Sequence, residues 1–344
     1  MKVIHIESGL GNQMLSFAEY LIVKKLNSCD KCYIETIVYD IPECSGTICQ
    51  WNGYELKRIF GIDVPNIKEC FSDKQWNDII DDVRKSRFWD DYWRYAPVIT
   101  SAFKKQGIDL INYHGNERKY VIEKDSLLNK IKGSRISYWL KRKLRFLYKE
   151  KYIKSFDCSD KIFIKSDENI YAGQMLGVKN KGFNIGFIEK ELKEVFRFPS
   201  ITDRKNLEIL NVIKSTNSVA IHARRGDMLQ SNGYCYKFGY FKRAVKYIKQ
   251  RVENPVFIFF CDTGSIEWCL NNKGIFGLNP DKDDIRFVDW NQGLDSYRDM
   301  QLMGYCKHNI ITNSSFGWWG TFFNENKNKI TISPNVWCNT TVTI

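Results

Sequence analysis

Six apolar residues in a row, VFIFFC at 256–261, set the tightest limit on how this chain can fold. A strand with no polar alternate has no face to give to water, so it belongs inside a parallel sheet covered on both sides. The neighbouring sequence agrees. SVAIH at 218–222, DIRFVDW at 284–290, NIITN at 309–313 and KITISP at 329–334 read as further strands. Helical stretches separate them at 240–251, around 266–270 and over 295–307, and SSFGWWGTFFN at 314–324 is a turn into a very apolar helix. Strands alternating with helices predict an α/β, Rossmann-like C-terminal domain.

The chain opens in the same idiom. Residues 2–6 alternate as a strand, Gly9 and Gly11 make a turn, and Met14, Ala18, Leu21 and Ile22, with the stem of Lys25, mark one face of a helix over 14–26. With a second strand at 32–37 this is a βαβ unit. Residues 40–115 are rich in Trp, Tyr and Asp, with FWDDYWRY at 88–95. That run reads as a partly buried aromatic cluster or as a platform for a sugar, and periodicity does not choose between them. A chain of 344 residues suggests two domains, 1–200 and 201–334, followed by a tail at 335–344, with the linker within 195–217.

Composition excludes some classes. Hydrophobic residues at 43% supply real cores, so the chain is no disordered segment. The net charge of +12 favours an anionic partner such as a nucleotide, a phospholipid headgroup or nucleic acid. No zinc finger, KH loop or RNP pattern supports nucleic acid. Eleven scattered cysteines indicate free thiols in a reducing compartment. The start lacks a signal-peptide pattern and no apolar run reaches about 18 residues, so a cytoplasmic protein is expected. Residues 131–154 carry nine basic residues against one acidic, with Leu140, Leu144, Leu147 and Tyr148 at helical spacing. This segment suits either a solvated basic helix or a peripheral contact with an anionic membrane face.

The chemistry should lie where the C-terminal strands end. Arg224, Arg225 and Asp227 follow one strand, Asp262 ends another, and Asn313, Ser314 and Ser315 head a helix. An arginine fork and free helix N–H groups suit a diphosphate. The first turn, ESGLGNQM, lacks the third glycine of a dinucleotide fingerprint, because Met14 stands there. Gly9 and Gly11 still permit close backbone approach, and Asn12 is a helix cap or a ligand contact. His5, His114, His222 and His308 have no metal spacing, and Asp281 and Asp283 read as a solvated loop.

Three blocks carry a resemblance: SGLGNQM at 8–14, HARRGD at 222–227 and KHNIITNSSFGWWG at 307–320. In this order and spacing the chain resembles the bacterial alpha-1,2-fucosyltransferase family, glycosyltransferase family 11. Cys261-Asp262 and Ile266-Glu267-Trp268 are similar to the family's intervening stretch. The resemblance implies a GT-B fold of two Rossmann-like domains facing across a cleft. It implies inverting transfer from GDP-fucose to a galactose-containing glycan, in O-antigen or capsule synthesis, without metal or other cofactor. A lipid-linked acceptor would suit the basic segment 131–154. Arg224 and Arg225 would hold the diphosphate, with His222 and Asp227 shaping the site. Asn313, Ser314, Ser315 and Phe316 would line the donor pocket, and Gly11, Asn12 and Gln13 would close over the diphosphate or sugar. The acceptor proton needs a base, for which Asp227, Glu7 and His5 are the candidates.

The chain departs from the family pattern at several points. Ser8 replaces a glycine, Met228 an aromatic, Gly317 a serine, and Gly264-Ser265 look inserted. None removes a charged residue, but they leave room for a different specificity. Two alternatives stay open: a GT-B enzyme with another nucleotide sugar, and a non-catalytic glycan- or polyanion-binding protein.

Overall fold

A computed structural model describes residues 1–27, 31–46, 52–90, 95–114, 168–172, 185–225, 233, 235–261 and 264–334. They fall into two compact units. One holds the described residues up to 114 and from 168 to Pro199, the other those from Ser200 on. The basic segment 131–154 lies outside the described residues.

The first unit is built on four parallel strands, β1 (Lys2–His5), β2 (Cys32–Glu35), β3 (Ile111–His114) and β4 (Asn169–Ala172), in the order β2-β1-β4-β3. Helix α1 (Leu10–Leu26) returns from β1 to β2 and packs on both, which is the expected βαβ unit. It begins four residues before the apolar periodicity does, because the turn residues Gly11, Asn12 and Gln13 are already helical. Met14, Ala18 and Ile22 on its inner face are fully buried, whereas Lys25 is exposed and pairs with Glu191.

A second helix, Asp73–Lys85, starts at a reciprocal cap between Ser72 and Gln75 and buries Trp76, Ile79 and Val83. These join Val3, Ile170, Ile99 and Phe103 in one core. Phe88 and Tyr95 belong to it too, their rings 4.8 Å apart edge to face, so the described ends of the aromatic run are core. Residues 91–94 lie outside the described residues.

The second unit has five parallel strands, β5 (Asn217–Ala223), β6 (Pro255–Cys261), β7 (Asp284–Val288), β8 (His308–Ile310) and β9 (Thr331–Ile332), in the order β7-β6-β5-β8-β9. The apolar run on β6 behaves as its composition demands. Phe257 and Phe259 enter a core with Phe241 and Ile248, while Ile258 and Phe260 enter another with Ile213 and Met303. Alternate side chains thus serve opposite faces of a covered sheet. The α/β class and the two Rossmann-like units expected of a GT-B fold are both present. Among the described residues no helix is long and apolar enough to cross a membrane.

Candidate active site

Parallel strands end on one side, so register decides what meets there. Ala223 lies opposite Cys261, Phe260 opposite Val288, and Ile221 opposite Ile310. The segments leaving β5, β6, β7 and β8 therefore emerge along one carboxyl edge, the edge where such sheets bind ligands. Seven of the expected residues meet there: His222, Arg224, Arg225, Asn313, Ser314, Ser315 and Phe316. Asp227 and Asp262, expected beside them, lie outside the described residues.

The two arginines are partly exposed on leaving β5. The Arg225 guanidinium carbon lies 3.3 Å from the centre of the Trp268 ring and 5.5 Å from that of Tyr236. The Tyr236 hydroxyl donates to the Arg224 carbonyl at 3.1 Å. A guanidinium pressed on a ring gives up a face but keeps its in-plane N–H donors, the ones that bind phosphate. Tyr236 had no signal in the sequence, and Trp268 only its place in a stretch resembling the family.

His222, one residue before the end of β5, is buried and stacks on Phe316 at 5.7 Å. Its carbonyl accepts from the Thr312 hydroxyl at 3.4 Å, which ties β5 to the segment after β8. Asn313 is fully buried behind them. Ser314 caps the helix Ser315–Phe322 in extended conformation, and its side chain makes no capping bond. Gly317 touches His222 so closely that a Cβ there would stand 2.5 Å from Nδ1. The serine usual in the family does not fit this packing.

A second polar cluster sits at the carboxyl end of β1, in the first unit. The Gln13 side chain, fully buried, donates to the carbonyls of Ser8 (2.9 Å) and Gly53 (2.8 Å) and accepts from the Glu55 amide (2.8 Å). Both its N–H groups hold the turn that carries Gly11 and Asn12. Gly11 is buried and Asn12 partly exposed in the first turn of α1.

His5 is buried between two carboxylates, with Nδ1 2.6 Å from Glu35 and Nε2 3.2 Å from Glu7. Glu35 also accepts from the Tyr95 hydroxyl at 2.8 Å and from the Ile37 amide. Burial alone would lower the His5 pKa, but Glu35 and then Glu7 outweigh it and raise it to about 9. The raised pKa favours the protonated form of His5, with both ring nitrogens as donors to Glu35 and Glu7. Glu7, almost buried, is the carboxylate it holds.

The carboxyl edge of β7 adds a group the sequence reading missed. Asp299 accepts from the Asn291 amide at 2.8 Å, and Asn291 and Trp290 both donate to the Asn206 side-chain oxygen. Burial pushes the Asp299 carboxyl up to about 8, against the opposing Asn291 bond. A single acid in the helix Tyr297–Tyr305 was the only sequence trace of it. Asp283 is spent on Lys249 (2.7 Å) and the Asn279 amide, and Asp281 is exposed. Among the described residues no group of three or more His, Cys, Asp or Glu side chains is arranged to hold a metal ion.

The sequence matches Glycosyl transferase family 11 over residues 118–343, more than half of the chain. It is 38% identical to an Escherichia coli alpha-1,2-colitosyltransferase over 157 residues, 43% of this chain and 50% of that protein. It is 33% identical to the E. coli O-antigen biosynthesis glycosyltransferase WbnK over 37% of this chain and 41% of that one. To galactoside alpha-(1,2)-fucosyltransferase 1 of Saimiri sciureus it is 30% identical, over 30% and 28%. The chain thus spans half or less of the length of these relatives. Among solved structures, it is similar to an Arabidopsis thaliana FUT1 mutant in complex with GDP (TM-score 0.45, 11% identity, 99% of this chain and 72% of that one). It is also similar to fucosyltransferase NodZ from Bradyrhizobium (TM-score 0.43, 11% identity, 93% and 91%).

Proposed function

The chain belongs to glycosyltransferase family 11, and from that premise we propose that it moves L-fucose, with inversion, from GDP-fucose to a galactose-containing glycan. The observation that carries this reading is the braced Arg225 beside Arg224 at the carboxyl edge of β5, with the helix start at Ser314 and Ser315 on the neighbouring segment. In the reaction the bond from the fucose anomeric carbon to the diphosphate breaks, and its electron pair leaves with the phosphate oxygen. Arg224 and Arg225 stabilise that charge, a role otherwise given to a metal ion. The acceptor hydroxyl oxygen bonds to the carbon from the opposite face, and its proton passes to a carboxylate. Glu7, Asp227 and His5 are the candidates for that task, and the pKa of His5, raised by Glu35 and Glu7, favours the two carboxylates.

The second unit serves the donor and the first the acceptor. The likeness to an O-antigen biosynthesis glycosyltransferase supports a place in surface polysaccharide synthesis, and the basic segment 131–154 would suit an acceptor carried on lipid at the cytoplasmic face of the membrane. A second reading has a specific observation behind it: the likeness to a colitosyltransferase favours colitose, a 3-deoxy analogue of fucose, as the transferred sugar.

Incubation with GDP-fucose, GDP-colitose, GDP-mannose and UDP-galactose, each with galactose-terminated acceptors, tests the reading. The expected outcome is an α-linked fucosyl product from GDP-fucose. Preference for GDP-colitose would establish the second reading. Transfer from UDP-galactose alone would overturn both.

A further inference from the structure

We infer that Trp268 is a positioning residue for the transfer: its ring fixes the plane of the Arg225 guanidinium, so that the N–H edge meets the diphosphate already oriented. The inference rests on the proposed function and adds a residue to its machinery. Trp268 lies in the short helix Ile266–Asn271, which follows β6, whereas Arg225 follows β5. The guanidinium carbon is 3.3 Å from the Trp268 ring centre, a face-on contact, while its 5.5 Å approach to Tyr236 is looser.

The platform is itself braced. Trp268 meets Tyr236 edge to face at 5.5 Å and 90°, and Phe276 at 6.4 Å. Tyr236 packs on Phe241 at 5.1 Å, and Phe241 on Phe276 at 4.7 Å. Phe241 and Phe276 are fully buried, and so is Cys269, the residue after Trp268. The ring under Arg225 is therefore the outer face of a core and does not swing freely.

The choice of a ring has a chemical logic. An aromatic face holds a guanidinium through the π system and does not itself take up the N–H groups, which lie in the guanidinium's own plane. Bidentate phosphate binding depends on that plane, so fixing it beforehand removes an ordering cost from binding and from the transition state. Lysine has no plane to fix, so the platform suits arginine alone.

Calorimetry of GDP and of inorganic pyrophosphate tests this on the whole chain, in wild type, Trp268→Phe, Trp268→Leu, Arg225→Ala and the Trp268→Leu/Arg225→Ala double variant. Thermal unfolding of each is followed alongside. Trp268→Leu is expected to weaken both ligands about ten-fold, the scale of a partly desolvated cation–π contact. Trp268→Phe should restore most of this. In the Arg225→Ala background, removing the ring should cost nothing further, because the two residues act as one unit.

An equal loss in both backgrounds, or a lower melting temperature with ligand affinity unchanged, would assign Trp268 to packing and overturn the inference. If wild type binds pyrophosphate but not GDP, the donor reading fails, and the same variants still decide the positioning role on pyrophosphate. Wild-type protein that binds neither removes both.

Discussion

Gly317 packs against His222 with room for hydrogen alone: a Cβ would stand 2.5 Å from Nδ1 and 3.2 Å from two ring carbons. His222 cannot easily withdraw, since its ring stacks on Phe316 and its carbonyl takes the Thr312 hydroxyl. Gly317→Ala is therefore expected to destabilise the fold by about 1–3 kcal/mol, the usual cost of overfilling a packed site, and to weaken GDP binding by displacing His222. Urea unfolding and calorimetry check this; an unchanged midpoint with unchanged affinity would mean the contact is soft. The sequence shows glycine where the resembling family usually has serine, but the ring it meets is 95 residues away in the chain and only the fold brings them together.

At the scale of the element, the segment from β1 through its turn into α1 is held by polar groups rather than by glycine. Ser8 sits at φ 62°, a left-handed conformation that costs a non-glycine residue about 1–2 kcal/mol. Its carbonyl accepts from both Gln13 and Tyr39, at 2.9 and 2.8 Å, which holds it there. Beneath the turn, His5 couples β1 to β2 through Glu35, with Glu7 on its other nitrogen and Tyr95 on the far side of Glu35.

The sign of the resulting pH dependence follows from the His5 pKa of about 9, above the ordinary value of 6.5. The folded state keeps a proton the unfolded chain gives up, so this stabilisation is complete below about pH 6.5 and is lost as pH rises through about 9. Asp299, raised to about 8, acts in the same direction between its ordinary range and that pH. The unfolding free energy from urea titration should fall from pH 6.5 to 9.5 by a few kcal/mol in total, taking the midpoint down with it, and His5→Gln should flatten the part that belongs to His5. A midpoint constant or rising over this range in wild type would contradict the charged His5.

Across the whole molecule, legibility follows local density. The second unit was readable because β5, β6 and their helices are consecutive and β6 is apolar throughout. The first was readable only to β2. Its β3 and β4 have four residues each, are far apart in sequence, and enter the sheet by long-range pairing, β4 beside β1 and β3 beside β4. The arginines announced the site, since adjacent guanidinium groups after a strand need an anion. Trp268 and Tyr236 did not, because aromatic residues elsewhere in this chain, Phe88 and Tyr95 among them, are core. Gln13 and His5 were found by motif and proximity, but the bonds that hold them were not legible. A motif names residues but does not show that Gln13's N–H groups end on Ser8 and Gly53, or that His5 lies between two carboxylates.

On the proposed mechanism, arginine carries the diphosphate's charge through the reaction. The most direct measurement of this is GDP release from GDP-fucose by purified wild-type and Arg225→Ala protein, with and without excess EDTA. The account predicts release by wild type that EDTA leaves unchanged, and a loss of about 100-fold or more in Arg225→Ala, the scale of removing one oriented charge-stabilising donor. Release abolished by EDTA, or an Arg225→Ala protein as fast as wild type, would contradict it.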